Sequence, residues 1–365
     1  MKQDSQLYIG VMSGTSLDGV DVALCEIDTQ SCRLLASYEH PFPSSLKEEV
    51  LHTITHAVTL QSIGELDIQL GRLFAEAINS FIETNFLSRE NIRAIGLHGQ
   101  TLWHEPDSSY PFSMQLGSAN EVVAATGIDV IADFRGADVA NGGEGAPFAP
   151  AFHQELFSYL GSDIAVVNIG GMANISYLGN ELLGWDIGCG NVLMDAFMQR
   201  SQNRAYDKEG AFAKSGSVNM ALLQALLKDE YFAKLPPKST GREYFNTAWL
   251  DSYLQDFQGI SDADIQRTLL ELTAVTIANE ANRLHVEKLI ICGGGAKNSF
   301  LMQRLDVLCR GEVAKSDTYG VSSDFLEAMI FAWLAYKRVH RQAVNLKSVT
   351  GTNKNAILGA HYAAN

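Results

Sequence analysis

No stretch of this sequence approaches the roughly 20 apolar residues that span a bilayer. The opening Met-Lys-Gln-Asp-Ser-Gln carries no apolar core of the signal-peptide kind, so a cytoplasmic protein with no membrane contact is expected. Cysteine is scarce and unpatterned: Cys25, Cys32, Cys189, Cys292 and Cys309 are odd in number and lack Cys-x-x-Cys spacing, so neither a disulfide framework nor a zinc site is signalled. Basic residues are also few. The 27 Lys and Arg against 42 Asp and Glu give a formal charge of −15, which opposes non-specific contact with nucleic acid or an anionic membrane. An anionic substrate would need a local basic clamp or a metal.

With 365 residues, 46% of them hydrophobic, the chain can build two substantial cores. Strand-like runs at 7–12, 20–27 and 33–42 precede helical periodicity at 44–57 and 65–86, and strands return at 93–98 and 129–134. Three adjacent strands with tight turns, then helices and further strands, predict a mixed sheet. The plan begins again at 164–169, with a glycine turn at Gly170 and Gly171, a strand at 175–178 and a third near Trp185. A long helix is expected over 261–285, opened by Ser261 and Asp264 at capping-box spacing, followed by a buried strand at 286–292 and helices at 297–309 and 324–339. The glycine-rich stretch 136–150 reads as the crossing between lobes, so the expected division is 1–135, rejoined by 340–365, and 136–339.

Three glycine turns sit at strand ends. The first, Gly-Val-Met-Ser-Gly-Thr-Ser-Leu-Asp-Gly-Val-Asp at 10–21, reads as a phosphate cradle on a β-hairpin: Gly14 and Gly19 let an anion approach the backbone, and Ser13, Thr15 and Ser16 supply donors. Asp18 and Asp21 are placed to hold a cation or water, while a polar hairpin tip accounts for the same residues. It is neither a Walker loop, since no helix and Lys follow, nor a dinucleotide turn. The second turn is Asn168-Ile-Gly-Gly171, and the third, Cys292-Gly-Gly-Gly-Ala-Lys-Asn298, follows a strand and opens a helix toward an anion. Asp186, at a strand end before two glycines, is the candidate base, or else a local turn former. Glu327 fits a capping box with Asp324, or positions phosphates, metal or water. Asp195 reads as structural. His98, Gln100 and Thr101 suit sugar hydroxyls, with Trp103 able to stack on a ring, although His98 and His104 read as structural histidines rather than a metal pair. Arg135 is a bidentate donor for a carboxylate or phosphate, with a surface ion pair to Asp133 or Asp138 as the plain alternative.

In this order the segments resemble the anhydro-N-acetylmuramic acid kinase family over nearly the whole chain: Val-Met-Ser-Gly-Thr-Ser-Leu-Asp-Gly-Val-Asp at 11–21, Leu-His-Gly-Gln-Thr at 97–101, Ala-Asp-Phe-Arg at 132–135, Gly-Ala-Pro at 145–147, Asn-Ile-Gly-Gly at 168–171, Asp-x-Gly-x-Gly-Asn at 186–191, Gly-Gly-Gly-Ala-x-Asn at 293–298 and Glu-Ala-x-x-Phe-Ala-Trp at 327–333. The resemblance implies an α/β protein of the actin, hexokinase and Hsp70-like superfamily. Two ribonuclease H-like lobes, with mixed five-stranded-type sheets flanked by helices, would leave a cleft between them. It implies ATP and Mg²⁺ as cofactors. Gly14, Thr15, Ser16, Leu17, Asp18, Gly19, Val20 and Asp21, with Gly170 and Gly171, would bind the phosphates, and Gly293, Gly294, Gly295 and Asn298 the nucleoside. His98, Gln100, Thr101, Arg135 and Asn168 would face the amino sugar, with Asp186 and Glu327 catalytic. Where the superfamily usually carries an Asp before the phosphate loop this chain has Met12, which shifts metal positioning to Asp18, Asp21 or Glu327. Ile187, Cys189, Asn141 and Glu144 also depart from the commoner family residues.

The chemistry implied is opening of a 1,6-anhydro bridge by water at C1, activated by Asp186, with O6 taking the γ-phosphoryl group of ATP. Partners would be the amino sugar and ATP, with a homodimer left open. A kinase of another hexose or amino sugar, an actin-like ATPase without sugar chemistry, and a sugar-binding protein that uses no nucleotide are the competing readings.

Overall fold

The computed structural model describes residues 5–14, 17–29 and 31–365. The chain divides into two compact units, Met1–Leu156 with Phe325–Asn365, and Phe157–Asp324. The division differs from the expected one after 135: the stretch 136–150 stays inside the first unit, as does the helix that follows residue 324.

The first unit begins with β1 (Gln6–Met12), β2 (Gly19–Ile27) and β3 (Cys32–Pro41), then α1 (Ser44–Thr55) and α2 (Leu60–Thr84), then β4 (Ile92–Leu97). A separate two-stranded ribbon, β5 (Gln100–Glu105) and β6 (Phe112–Leu116), leads to α3 (Ala119–Thr126), β7 (Val130–Ala132), α4 (Phe134–Val139) and α5 (Ala149–Phe157). The second unit repeats the plan with β8 (Ile164–Ile169), β9 (Met172–Leu178) and β10 (Leu182–Cys189). After α6 (Val192–Gln202) come four short helices, α7 (Ala211–Ser215), α8 (Met220–Leu227), α9 (Glu230–Ala233) and α10 (Thr247–Leu254). The long α11 (Asp262–Arg283), β11 (Lys288–Cys292), α12 (Ser299–Leu308) and β12 (Glu312–Lys315) complete it. The chain then returns to the first unit through α13 (Leu326–Val339) and β13 (Ala360–Tyr362).

The two sheets share one topology. In the second unit the order is β10-β9-β8-β11-β12, with β8, β9 and β10 antiparallel and β8, β11 and β12 parallel. In the first it is β13-β7-β4-β1-β2-β3, the same five-strand pattern with β13 added antiparallel at the β7 edge. Parallel pairing requires a crossover, and the helices that supply it cover the sheet faces.

Close backbone approach decides where α13 lies. A Cβ on Gly10 would stand 1.9 Å from the Ala328 carbonyl oxygen, and one on Gly96 1.9 Å from that of Phe331, so only glycine lets this helix rest on the central strands. Ala328 faces Gly10, and Tyr336 meets Tyr8 edge-on at 5.6 Å, so α13 runs antiparallel to β1. Its N-terminal Glu327 thus falls at the end of β1 where the chain enters the first glycine turn. The capping box expected at 324–327 does not form. Phe325 precedes the helix with no side-chain cap, and Asp324 instead pairs with Lys297 at 2.8 Å. Ser261 does cap α11, accepting from the Asp264 amide at 3.2 Å.

Candidate active site

In the first glycine turn, Gly14 accepts from the Leu17 amide at 3.3 Å, and Leu17 takes a left-handed backbone, φ 54°, with its side chain 2% exposed. A bulky residue in that conformation is strained, and burial of its side chain holds it there. Thr15 and Ser16 lie outside the described residues. Gly19 packs against Glu39, Val20 is buried, and Asp21 sits half-buried in β2 opposite Met12 and Glu39. Asp18 is exposed and its carboxylate is 3.2 Å from Lys47 Nζ.

Gln100 and Ser13 are joined. The Ser13 hydroxyl donates to Gln100 Oε1 at 2.7 Å, and Gln100 Nε2 reaches the Gly14 carbonyl at 3.5 Å. A buried amide spent in this way braces the turn. Thr101 accepts from Gln115 at 3.2 Å, and Trp103 is exposed, donating to Glu105. Arg135 makes neither of the surface ion pairs offered by the sequence. It is half-buried, donates from Nε to His98 Nε2 at 3.0 Å and from Nη1 to the Gly145 carbonyl at 2.8 Å, and lies over the Phe148 ring. Burial lowers the Arg135 guanidinium to about 10, with the Glu327 charge opposing. Burial also drives the His98 imidazole well below its ordinary 6.5, and the Arg135 charge adds to this, so His98 is a neutral acceptor. Glu327 is raised by the surrounding protein and lowered by Arg135. His98, Arg135 and Glu327 are one electrostatic cluster.

In the second unit the carbonyls of Gly170 and Gly171 accept from the amides of Gly190, Asn191 and Val192 at 2.8–3.1 Å, tying the β8–β9 turn to the start of α6. Gly293 takes φ 77°, with its amide donating to the Ser323 carbonyl at 3.1 Å; a Cβ there would meet Asn168 Oδ1 at 2.2 Å. Only glycine fits both demands. The turn leads through a short 3₁₀ segment, Gly294–Lys297, so the helix opens later than expected, at Ser299, with Asn298 Oδ1 capping it from the Leu301 amide at 3.0 Å. Gly295 packs on Ile169. Gly294 and Asn298, together with Asn191, Met194, Asp195 and Tyr206, line a cavity of about 500 Å³, large enough for a nucleoside.

Asp186 lies in β10 at a bulge, half-buried. Its Oδ2 accepts from the Ser239 hydroxyl and the Thr240 amide, each at 3.0 Å, while its backbone amide donates to the Lys238 carbonyl and its carbonyl accepts from Tyr231 Oη. Oδ1 makes no hydrogen bond among the described residues. Burial pushes the carboxyl above the usual carboxylate range, the Thr240 amide and Ser239 hydroxyl pull it back, and the Glu243 charge adds to the rise. A carboxylate with one oxygen held and the other open is suited to take a proton. The segment that holds it, Pro-Pro-Lys-Ser-Thr-Gly-Arg at 236–242, lies outside the motifs legible in the sequence. Its Ser-Thr-Gly donors before an Arg are the signal that was there, but nothing linear connects them to a carboxylate some fifty positions earlier.

The donor set offers no dedicated magnesium cage: among the described residues no three His, Cys, Asp or Glu side chains gather to hold a metal, and Asp18 is engaged by Lys47.

Two sheets of the same mixed five-strand order define a duplicated ribonuclease H-like fold of the actin and hexokinase class. A solved structure of the component A protein of (R)-2-hydroxyglutaryl-CoA dehydratase from Acidaminococcus fermentans matches that fold, with a TM-score of 0.50 at 12% identity, covering 92% of this chain and 99% of that one. The family model for anhydro-N-acetylmuramic acid kinase matches residues 6–364, and the chain belongs to that family. It is 53% identical to the anhydro-N-acetylmuramic acid kinase of Sulfurimonas denitrificans over 98% of this chain and all of the relative. It is 52% identical to that of a Sulfurovum species, over 98% and 99%, and 49% identical to that of Vibrio vulnificus, over 98% of each chain.

Proposed function

We propose that the protein opens 1,6-anhydro-N-acetylmuramic acid with water and phosphorylates it from ATP, giving N-acetylmuramic acid 6-phosphate and ADP in cell-wall recycling. The observation that carries this reading is Asp186, its Oδ2 fixed by Ser239 and Thr240 and its Oδ1 open. Oδ1 takes the proton of a water whose oxygen bonds to C1 as the C1–O6 bond breaks. The electron pair of that bond passes to O6, which attacks the γ-phosphorus, and the bridging oxygen leaves with ADP. The 1,6-anhydro sugar has no free O6 hydroxyl, so ring opening and phosphoryl transfer occur as one event.

In the second unit the amide of Gly171, at the β8–β9 turn, would meet the phosphates, and the cavity at Gly294 and Asn298 would receive the nucleoside. In place of a direct sugar contact, His98 positions Arg135, whose remaining donors and charge would meet the acidic sugar beside Glu327. No helix among the described residues is long and apolar enough to cross a membrane. The five cysteines form no disulfide among the described residues, which suits a reducing cytoplasm, where ATP is available.

The test is ATP consumption by the purified protein with the anhydro sugar, with ring-opened N-acetylmuramic acid and with glucose. Turnover with the anhydro sugar alone is expected; faster turnover with either of the other two would assign it to the hexose or amino-sugar kinases.

A further inference from the structure

The strap that carries Ser239 and Thr240 is anchored at both ends. On one side Asp229 accepts from the Tyr231 amide, Tyr244 Oη, Trp249 Nε1 and Tyr253 Oη at 2.8–3.2 Å. On the other the Lys238 ammonium, almost wholly buried, pairs with Glu280 of α11 at 3.3 Å and lies 5.1 Å from the centre of the Tyr231 ring. A loop so tied holds what it presents.

What it presents beyond the two ligands of Asp186 is Arg242. This side chain is exposed and makes no ion pair or side-chain hydrogen bond among the described residues, in a chain with a formal charge of −15. Its guanidinium stands at the tip of the β8–β9 turn: a Cβ added to Gly171 would lie 3.7 Å from both Nε and Nη2. A Cβ on Gly170 would meet nothing nearer than 3.7 Å, so the backbone of the turn is open beside the Arg. The same charge reaches Asp195 on α6, whose carboxyl burial raises to about 6.

We propose that Arg242 is a catalytic residue that binds the terminal phosphate of the nucleotide, clamping it against the Gly170–Gly171 turn beside Asp186. The proposal rests on the kinase reading of this site. A planar guanidinium grips phosphoryl oxygens in pairs and remains charged throughout, which suits charge shifting from the γ-phosphoryl group to the leaving ADP. Placing it on the strap that orients the base fixes water activation and phosphate position with one loop. The sugar's carboxylate is the other anion such a cation could meet, and the measurements below separate the two.

The experiment is equilibrium binding of adenosine, ADP and ATP to the wild-type protein and to Arg242→Gln and Arg242→Lys, with steady-state kinetics on the anhydro sugar with and without its lactyl group. For Arg242→Gln, ATP affinity is expected to fall about 10- to 100-fold with adenosine affinity unchanged, and kcat to fall with it, with partial recovery in Arg242→Lys. An equal loss for adenosine would make the role structural and overturn the proposal. A kinetic defect confined to the lactyl-bearing sugar would assign Arg242 to the carboxylate and overturn it too. A wild-type protein that binds none of the three nucleotides would instead overturn the kinase reading itself.

Discussion

The Ser239 hydroxyl donates to Oδ2 of Asp186 at 3.0 Å, across 53 positions of chain. That bond, with the Thr240 amide on the same oxygen, favours the charged carboxylate against the burial that disfavours it. With Asp186 as the proposed base, this balance would set the acid limb of activity, because a base works only when ionised. Ser239→Ala is expected to raise the Asp186 pKa further, moving the acid limb of kcat/KM to higher pH while the neutral plateau changes little. A pH–rate profile that does not move would remove Ser239 from the mechanism.

Asp186→Asn is expected to lower the rate by about 10²–10⁴-fold, since an amide keeps the shape but accepts no proton at neutral pH. Ring opening and phosphorylation should be lost together, with ATP binding retained. In ¹⁸O-labelled water the wild-type product should carry label at C1 and none in O6 or the phosphate ester, read by mass spectrometry. Label in the phosphate ester would contradict water attack at C1.

The third glycine turn separates a binding role from a folding one. A Cβ at Gly294 meets nothing nearer than 3.8 Å, whereas one at Gly293 meets Asn168 Oδ1 at 2.2 Å on a backbone of φ 77°. Gly294→Val is therefore expected to fold normally and to weaken ATP affinity by filling nucleotide space, while Gly293→Val loses stability. Calorimetric titration and a thermal melt on both variants check this, and full ATP affinity in Gly294→Val would move the nucleoside elsewhere.

Contact between α13 and the first sheet yields a paired test. Gly10→Ala drives a methyl group into the Ala328 carbonyl and is expected to cost about 3 kcal/mol. Gly64, in the interior of α2 with nothing within 4 Å of an added Cβ, should respond in the opposite way, with Gly64→Ala gaining about 0.5–1 kcal/mol. Urea unfolding measures both, and a neutral Gly10→Ala would mean that the helix does not rest there.

Two buried histidines make stability pH-dependent. His98 is held well below its ordinary 6.5, and burial takes His153 down to about 3. Depressed bases take up protons in the unfolded chain first, so their contribution is full above about 6.5 and falls as pH drops, by up to about 1.4 kcal/mol per pH unit for each. Denaturant midpoints at pH 7 and 5.5 should show this loss, and His98→Gln should reduce it.

Much of the architecture is legible because alternating and helical periodicities are local. The three-strand openings at Gln6–Met12 and Ile164–Ile169, the Ser261 cap and the long α11 follow from neighbouring residues. Local signals also mislead: Asp324 and Glu327 have capping-box spacing, but Lys297 takes Asp324 and the helix starts without it. The unit boundary is not legible in the sequence because glycines at 136–150 signal turns, whereas Gly143 and Gly145 actually fold around the buried carboxylate of Asp138.

The sequence by itself determined the glycine turns, the candidate base and the family pattern, since these are matters of residue type at fixed spacing. Only the tertiary structure decided that Gln100 braces the first turn, that Arg135 leans on His98, and that Ser239, Thr240 and Arg242 stand beside Asp186 and Gly171. Hydrogen bonds and charge act over a few ångströms of space, and the packing of strands and helices, which no short window contains, chooses which distant side chains come that close.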